Sequence, residues 1–164
     1  MKNIITQFLI IAVLIFSYLF ATAHTPNRLT DFVASLEGYR SVAYEDSVGV
    51  LTIGYGRTEG VQLDDTTTEP EAREYLEDYL SDIQEAIGRR HPNRFNQCQL
   101  DALTSFTYNL GMSRLNRLVR DRTHEEVSTA LLLYVKADGK KLKGLEVRRK
   151  AEQDLFNNCN YKVK

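Results

Sequence analysis

The chain has 164 residues, 43% hydrophobic and 26% charged, with a formal net charge of −1. That length suits one domain, with room for two lobes. The composition excludes disorder over most of the chain, and the near-neutral charge gives no global field for nucleic acid.

Lys2 precedes Ile4 and Ile5, and the stretch from Phe8 to Phe20 carries no charge. Ala21-Thr22-Ala23 follows, a small-x-small triplet. A basic start, an apolar run and such a triplet read as an export signal over residues 1–23, cleaved after Ala23. A retained anchor is the competing reading, because Ile4 and Ile5 extend the run toward the roughly 20 residues that span a bilayer. Either way, residues 24–164 are expected to work outside the cytoplasmic membrane, with any membrane association through residues 4–23. Cys98 and Cys159 are the two cysteines. In an oxidising compartment they permit one disulfide tying the C-terminal tail to the middle of the domain, the alternative being two free thiols. His24, His91 and His124 are scattered and there is no Cys-x-x-Cys, so no metal is expected.

Asn27 or Thr30 is placed to cap a first helix, whose apolar stripe is Leu29, Phe32, Val33 and Leu36. Gly38 ends it. Glu37 then sits at the negative end of the helix, where burial would make a carboxyl hold its proton more tightly, as a general acid requires. Residues 42–63 are rich in β-branched and aromatic side chains punctuated by glycine, which predicts a small antiparallel sheet of two or three strands. Thr68 and Glu71 form a capping box for a long helix through Ala72, Leu76, Tyr79, Leu80, Ile83 and Ile87, stopped at Gly88. Asn96 caps a helix closed by Gly111, and a short helix is predicted over residues 114–119. Thr123 and Glu126 cap another, running past Tyr134 to Gly139. A last helix starts at Gly144.

Residues 59–85 are acidic, whereas Lys140, Lys141, Lys143, Arg148, Arg149 and Lys150 make the C-terminal end basic. The simplest reading is solvated helix faces; a sharper one is that the basic end meets an anionic polymer.

Cutting a glycosidic bond commonly takes two carboxyl groups, one protonated to supply the leaving group and one ionised to activate water or attack carbon. Glu37 and Asp46 meet that demand in type. Their context is more specific. Glu37-Gly38-x-Arg40, then Tyr44-x-Asp46, then Gly49-x-x-Thr52-Ile53-Gly54-Tyr55-Gly56-x-Thr58 resembles the phage-type lysozymes, the muramidases of glycoside hydrolase family 24. The resemblance continues at Gln99-x-Asp101-Ala102-Leu103-x-Ser105-Phe106-x-x-Asn109-x-Gly111. It resumes at Gly144-Leu145-x-x-Arg148-Arg149-x-Ala151-Glu152-x-x-Leu155-Phe156.

The resemblance implies an α+β lysozyme-like fold: a small antiparallel sheet lobe (about residues 39–67) and a larger helical lobe (about 68–164), joined by a long helix with the cleft between. It implies Glu37 as catalytic acid, Asp46 as second carboxylate and Thr52 as holder of the attacking water. The substrate would be bacterial peptidoglycan, cut at the β-1,4 bond between N-acetylmuramic acid and N-acetylglucosamine, with no cofactor, by a monomer, in host-cell lysis or defence against bacteria. Some relatives are transglycosylases, and some are membrane-tethered and inactive until lysis, in which case the cysteine pair would bear on control. A glycan-binding module without catalysis and a membrane-anchored interaction protein are the alternatives from other classes.

Around that triad, Arg40 would orient carboxylates or lie on the surface. Tyr44 and Tyr55 would line the sugar cleft or join the core. Gly54 and Gly56 would admit a sugar ring or serve turn geometry. Asn109 would contact substrate or cap its helix. Arg148, with Arg149, would clamp the lobes or join the basic surface. Two departures stand out: Arg57 occupies a position where many relatives have histidine, and tryptophan is absent, leaving Leu133 or Tyr134 to fill its place.

Overall fold

The computed structural model describes residues 27–46, 49–137 and 139–163. The expected export signal or anchor, with its cleavage point, lies outside the described residues. Helix α1 spans Arg28–Glu37, β1 Arg40–Glu45 and β2 Leu51–Gly54, followed by α2 over Glu69–Arg90. Then come α3 (Gln97–Leu110), α4 (Met112–Val119), α5 (His124–Leu131), β3 (Lys136–Ala137), β4 (Lys140–Lys141) and α6 (Lys143–Asn158).

Polar caps set most helix starts. Asn27 Oδ1 accepts from the Leu29 and Thr30 amides at 3.1 and 3.4 Å. Thr68–Glu71, Asn96–Gln99 and Thr123–Glu126 each form a complete capping box. Gly38, at φ 74°, stops α1 by returning its amide to the Ala34 carbonyl at 3.1 Å.

Helix α3 is the axis of the helical body. Every residue from Asp101 to Thr107 is buried, as expected of a helix enclosed on all sides. Its buried hydroxyls are satisfied: Thr104 donates to the Leu100 carbonyl, Thr107 to that of Leu103, and Ser105 to the Glu152 carboxylate on α6. Around it Phe32, Leu76, Leu80, Leu115, Leu118, Leu131 and Leu155 close one core. The hairpin β1–β2 is antiparallel, pairing Arg40 with Gly54 and Tyr44 with Thr52 across a bulge. A third segment joins its edge through a Val42–Thr66 bridge. Arg73 of α2 pairs with Asp31 of α1, and Asn27 donates to Glu77, so the long helix is lashed to the first.

Two helix ends and one added ribbon differ from expectation. Helix α2 runs through Gly88 to Arg90, because an interior glycine costs about 1 kcal/mol and the buried Ile87 beside it holds the last turn in place. Helix α5 ends at Leu131, where Tyr134 turns its ring edge-on to Phe106 at 4.9 Å. The chain then makes the β3–β4 ribbon around Gly139, at φ 74°. The Asp-Gly dipeptide at 138–139 is a hairpin signal in the sequence. Among the described residues no helix is long and apolar enough to cross a membrane.

Cys98 and Cys159, 61 positions apart in the chain, are bonded, with Cα atoms 5.2 Å apart. Beyond the bridge, Tyr161 donates to Asp101, takes the Arg28 guanidinium over its ring at 4.3 Å, and meets Phe32 edge-on. Burial and Asp101 push its phenol up to about 12. Closing a loop of this length stabilises mainly by restricting the unfolded chain. Replacing both cysteines by serine is expected to lower unfolding free energy by about 2–4 kcal/mol in denaturant titration.

Candidate active site

Glu37 is the last residue of α1, and its side chain is 21% exposed. Its Oε1 receives Nη1 of Arg148 at 2.6 Å. That arginine, whose side chain is only 6% exposed, also donates Nη2 to the Ser105 carbonyl at 3.2 Å and Nε to Glu152 Oε1 at 3.1 Å. One cation therefore joins α1, α3 and α6. It also offsets the unfavourable placement of an acid at a helix C-terminus, where the sequence alone suggests an unopposed charge.

Beneath this contact lie Arg149 and Glu152, both without exposed surface. Arg149 donates Nη2 to Asn109 Oδ1 at 2.8 Å and to Glu152 Oε1 at 3.1 Å, and its guanidinium lies 4.9 Å from the Phe106 ring centre. Its Nε is 3.0 Å from Glu152 Oε2, close enough for an ion pair but off the hydrogen-bonding axis. Burial lowers Arg149 to about 10, partly countered by Glu152. Burial likewise raises Glu152, with Arg149 and then Arg148 opposing it.

The other two triad candidates lie in the hairpin and are fixed through one residue. Asp46 Oδ1 accepts from the Val50 amide at 2.9 Å, and Thr52 Oγ1 donates to the Val50 carbonyl at 3.1 Å. Asp46 is half-buried and Thr52 buried.

Tyr108 of α3 seats the exit of β2 beside Glu37. Its hydroxyl donates to the Tyr55 carbonyl at 2.7 Å. Gly56 follows at φ 104°; a Cβ there would lie 3.2 Å from the Tyr108 hydroxyl and 3.8 Å from Glu37 Oε2. Burial, then the charge of Glu37, pushes the Tyr108 phenol above its ordinary range.

Several expected roles are redistributed. Arg40 is exposed and lies over the Tyr44 ring at 4.4 Å, and the arginine on Glu37 is Arg148. Arg148 and Arg149 are buried pairing residues, not part of the basic surface. Tyr55 is a core residue: its ring packs on Tyr39, its hydroxyl donates to Glu69 at 2.8 Å, and only its carbonyl serves the hairpin exit. Gly54 makes room for α2, since a Cβ there would meet that of Ala72 at 2.9 Å. Asn109 is held by Arg149, while Gly111 closes α3.

Arg57 lies over Tyr75 at 4.6 Å, and Tyr75, Tyr79 and Tyr108 continue as a ring chain between α2 and α3. A cavity of about 250 Å³ is lined by Gly56, Arg57, Thr58, Tyr75, Tyr79 and Tyr108, among others. Glu37, Asp46 and Thr52 do not line it. Leu133 is 73% exposed, so Tyr134 is the aromatic that fills the helical body. The sequence marks Tyr108 and Glu152 only through the block from Gln99 to Gly111 and the Arg-Arg-x-x-Glu spacing, and neither pattern names their partners.

The chain matches the family described as Phage lysozyme over residues 34–152. It is 30% identical to an endolysin of Acyrthosiphon pisum secondary endosymbiont phage 1, over 83% of this chain and 99% of that protein. It is 34% identical to a SAR-endolysin of Bacteriophage PS119, over 73% of this chain and 75% of that one. Among solved structures it is similar to the endolysin from Escherichia coli O157:H7 phage FAHEc1. The TM-score is 0.70 at 28% identity, covering 85% of this chain and 98% of that one.

Removing the Tyr108 hydroxyl leaves the Tyr55 carbonyl without its donor. Tyr108→Phe is expected to cost about 1–2 kcal/mol in denaturant unfolding while leaving the helical circular dichroism unchanged.

Proposed function

We propose that this chain, a member of the phage lysozyme family and a peptidoglycan-degrading lysozyme, hydrolyses the β-1,4 bond between N-acetylmuramic acid and N-acetylglucosamine. Glu37 is the general acid. With Oε1 held by Arg148, its other oxygen, Oε2, faces the Gly56 side and carries the proton to the glycosidic oxygen. The carboxylate left behind is stabilised by the same arginine. Asp46 takes a proton from water as that water attacks the anomeric carbon, and Thr52 holds the water, so the configuration inverts. The observation that supports this reading is a partly exposed Glu37 fixed by a buried arginine at the end of α1, in a chain whose hairpin also pins an acid and a threonine to Val50. The chemistry needs no cofactor.

Export places this chemistry where peptidoglycan lies. Residues 1–23 are the export signal, cleaved after Ala23, and the enzyme acts as a monomer in host-cell lysis. The basic start, the apolar run and the small-x-small triplet support that assignment.

Two measurements test these assignments. Glu37→Gln is expected to lower the rate of clearing purified peptidoglycan by about 10²–10⁴-fold, with Asp46→Asn also strongly impaired. Equal clearing by wild type and Glu37→Gln overturns the assignment. A new reducing end among the products supports hydrolysis, and an anhydro-sugar identifies a transglycosylase instead. N-terminal sequencing of the exported protein should begin at His24; an intact Lys2 shows a retained anchor.

A further inference from the structure

The corner beneath Glu37 holds more charge than its ion pair requires. Arg149 and Glu152 have no exposed surface and Arg148 is 5% exposed. Burying an ion costs several kcal/mol even after relaxation, and apolar residues of similar volume are often as stable. Two arginines and two glutamates make the cluster neutral while Glu37 is ionised. Once Glu37 carries a proton, the other three ions sum to a single positive charge.

Glu152 divides this charge. Its Oε1 accepts from Arg148 Nε, Arg149 Nη2 and the Ser105 hydroxyl at 3.1, 3.1 and 2.8 Å. Among the described residues it is the one carboxylate in ion-pair contact with Arg149, which also donates to Asn109, lies against the Phe106 ring and feels the more distant charges of Arg148 and Glu37. We propose that Glu152 is a positioning residue for the reaction at Glu37. It neutralises Arg149 and fixes the Nε edge of Arg148, so that Glu37 meets one arginine instead of the field of two.

The proposal rests on Glu37 being the acid. Among the described residues, the charged and titratable groups that act on Glu37 are Arg148 and Arg149 of α6 and Tyr108 of α3, with Glu152 behind the two arginines. Without Glu152, both guanidiniums favour the Glu37 carboxylate and make it a poorer proton donor at neutral pH. Without Arg149, Glu152 draws on Arg148 alone, and the effect on Glu37 is reversed.

The test is the rate of cleavage of soluble peptidoglycan fragments from about pH 4 to 9 by the purified protein. Glu152→Gln is expected to lower turnover at least about tenfold near pH 7, to change KM less than about twofold, and to move the alkaline limb down by about one unit. Glu152→Asp restores part of the rate. Arg149→Met moves the limb upward, and Arg149→Met combined with Glu152→Met returns it to the wild-type position. A Glu152→Gln rate that falls by one factor at every pH, or does not fall, overturns the proposal. If Glu152→Gln does not fold, Arg149→Met decides: an upward limb supports the proposal, and a fixed or lowered limb overturns it. In the same assay, an active Glu37→Gln variant would overturn the underlying assignment of the acid instead.

Discussion

The structure depends on the guanidinium of Arg148. It is buried at the start of α6 and spends its donors on Glu37 of α1, the Ser105 carbonyl of α3 and Glu152 of its own helix. A fork of fixed donors suits this junction, because three acceptors at set angles specify one arrangement of three helices. A lysine would offer a point charge and leave that geometry loose. The contact also decides where Glu37 points: Arg148 holds one carboxylate oxygen and the other faces the hairpin exit.

The sheet lobe reaches the same place by a neutral route. The Tyr55 carbonyl meets the Tyr108 hydroxyl, and Gly56 admits both that hydroxyl and the Glu37 carboxylate at close range. Asp46 and Thr52 share Val50, one through its amide and the other through its carbonyl. Their relative placement is therefore set through Val50 within the hairpin, while their placement relative to Glu37 is a property of the seat between β2 and α3. At the far end, Asp101 gathers Gln84, Gln97 and Tyr161, and the disulfide ties the tail to the start of α3. Helix α3 is thus braced at both ends by polar contacts and along its length by apolar ones.

Local chemistry made much of the fold legible. Capping boxes at Thr68, Asn96 and Thr123 and glycine stops at Gly38 and Gly111 mark helix ends through bonds made within a few residues. The hairpin was legible from its β-branched and glycine pattern. Tertiary packing overrides local preference in two places: α2 continues through Gly88, and α5 gives way to a ribbon where Tyr134 packs against Phe106.

In the site, the sequence by itself determined the inventory: an acid at a helix end, an acid and a threonine in a hairpin, and a block of arginines and a glutamate spaced along a last helix. Only the tertiary structure decided which of them meet. Arg40, three residues from Glu37, turns to Tyr44, while Arg148, 111 positions away, takes the carboxylate. Tyr55 goes to the core and Tyr108 to the seat beneath the hairpin. Proximity along the chain fixes secondary structure through short-range bonds. The partner of a charge is chosen by which cation the packed helices bury beside it, and no spacing in the sequence encodes that choice.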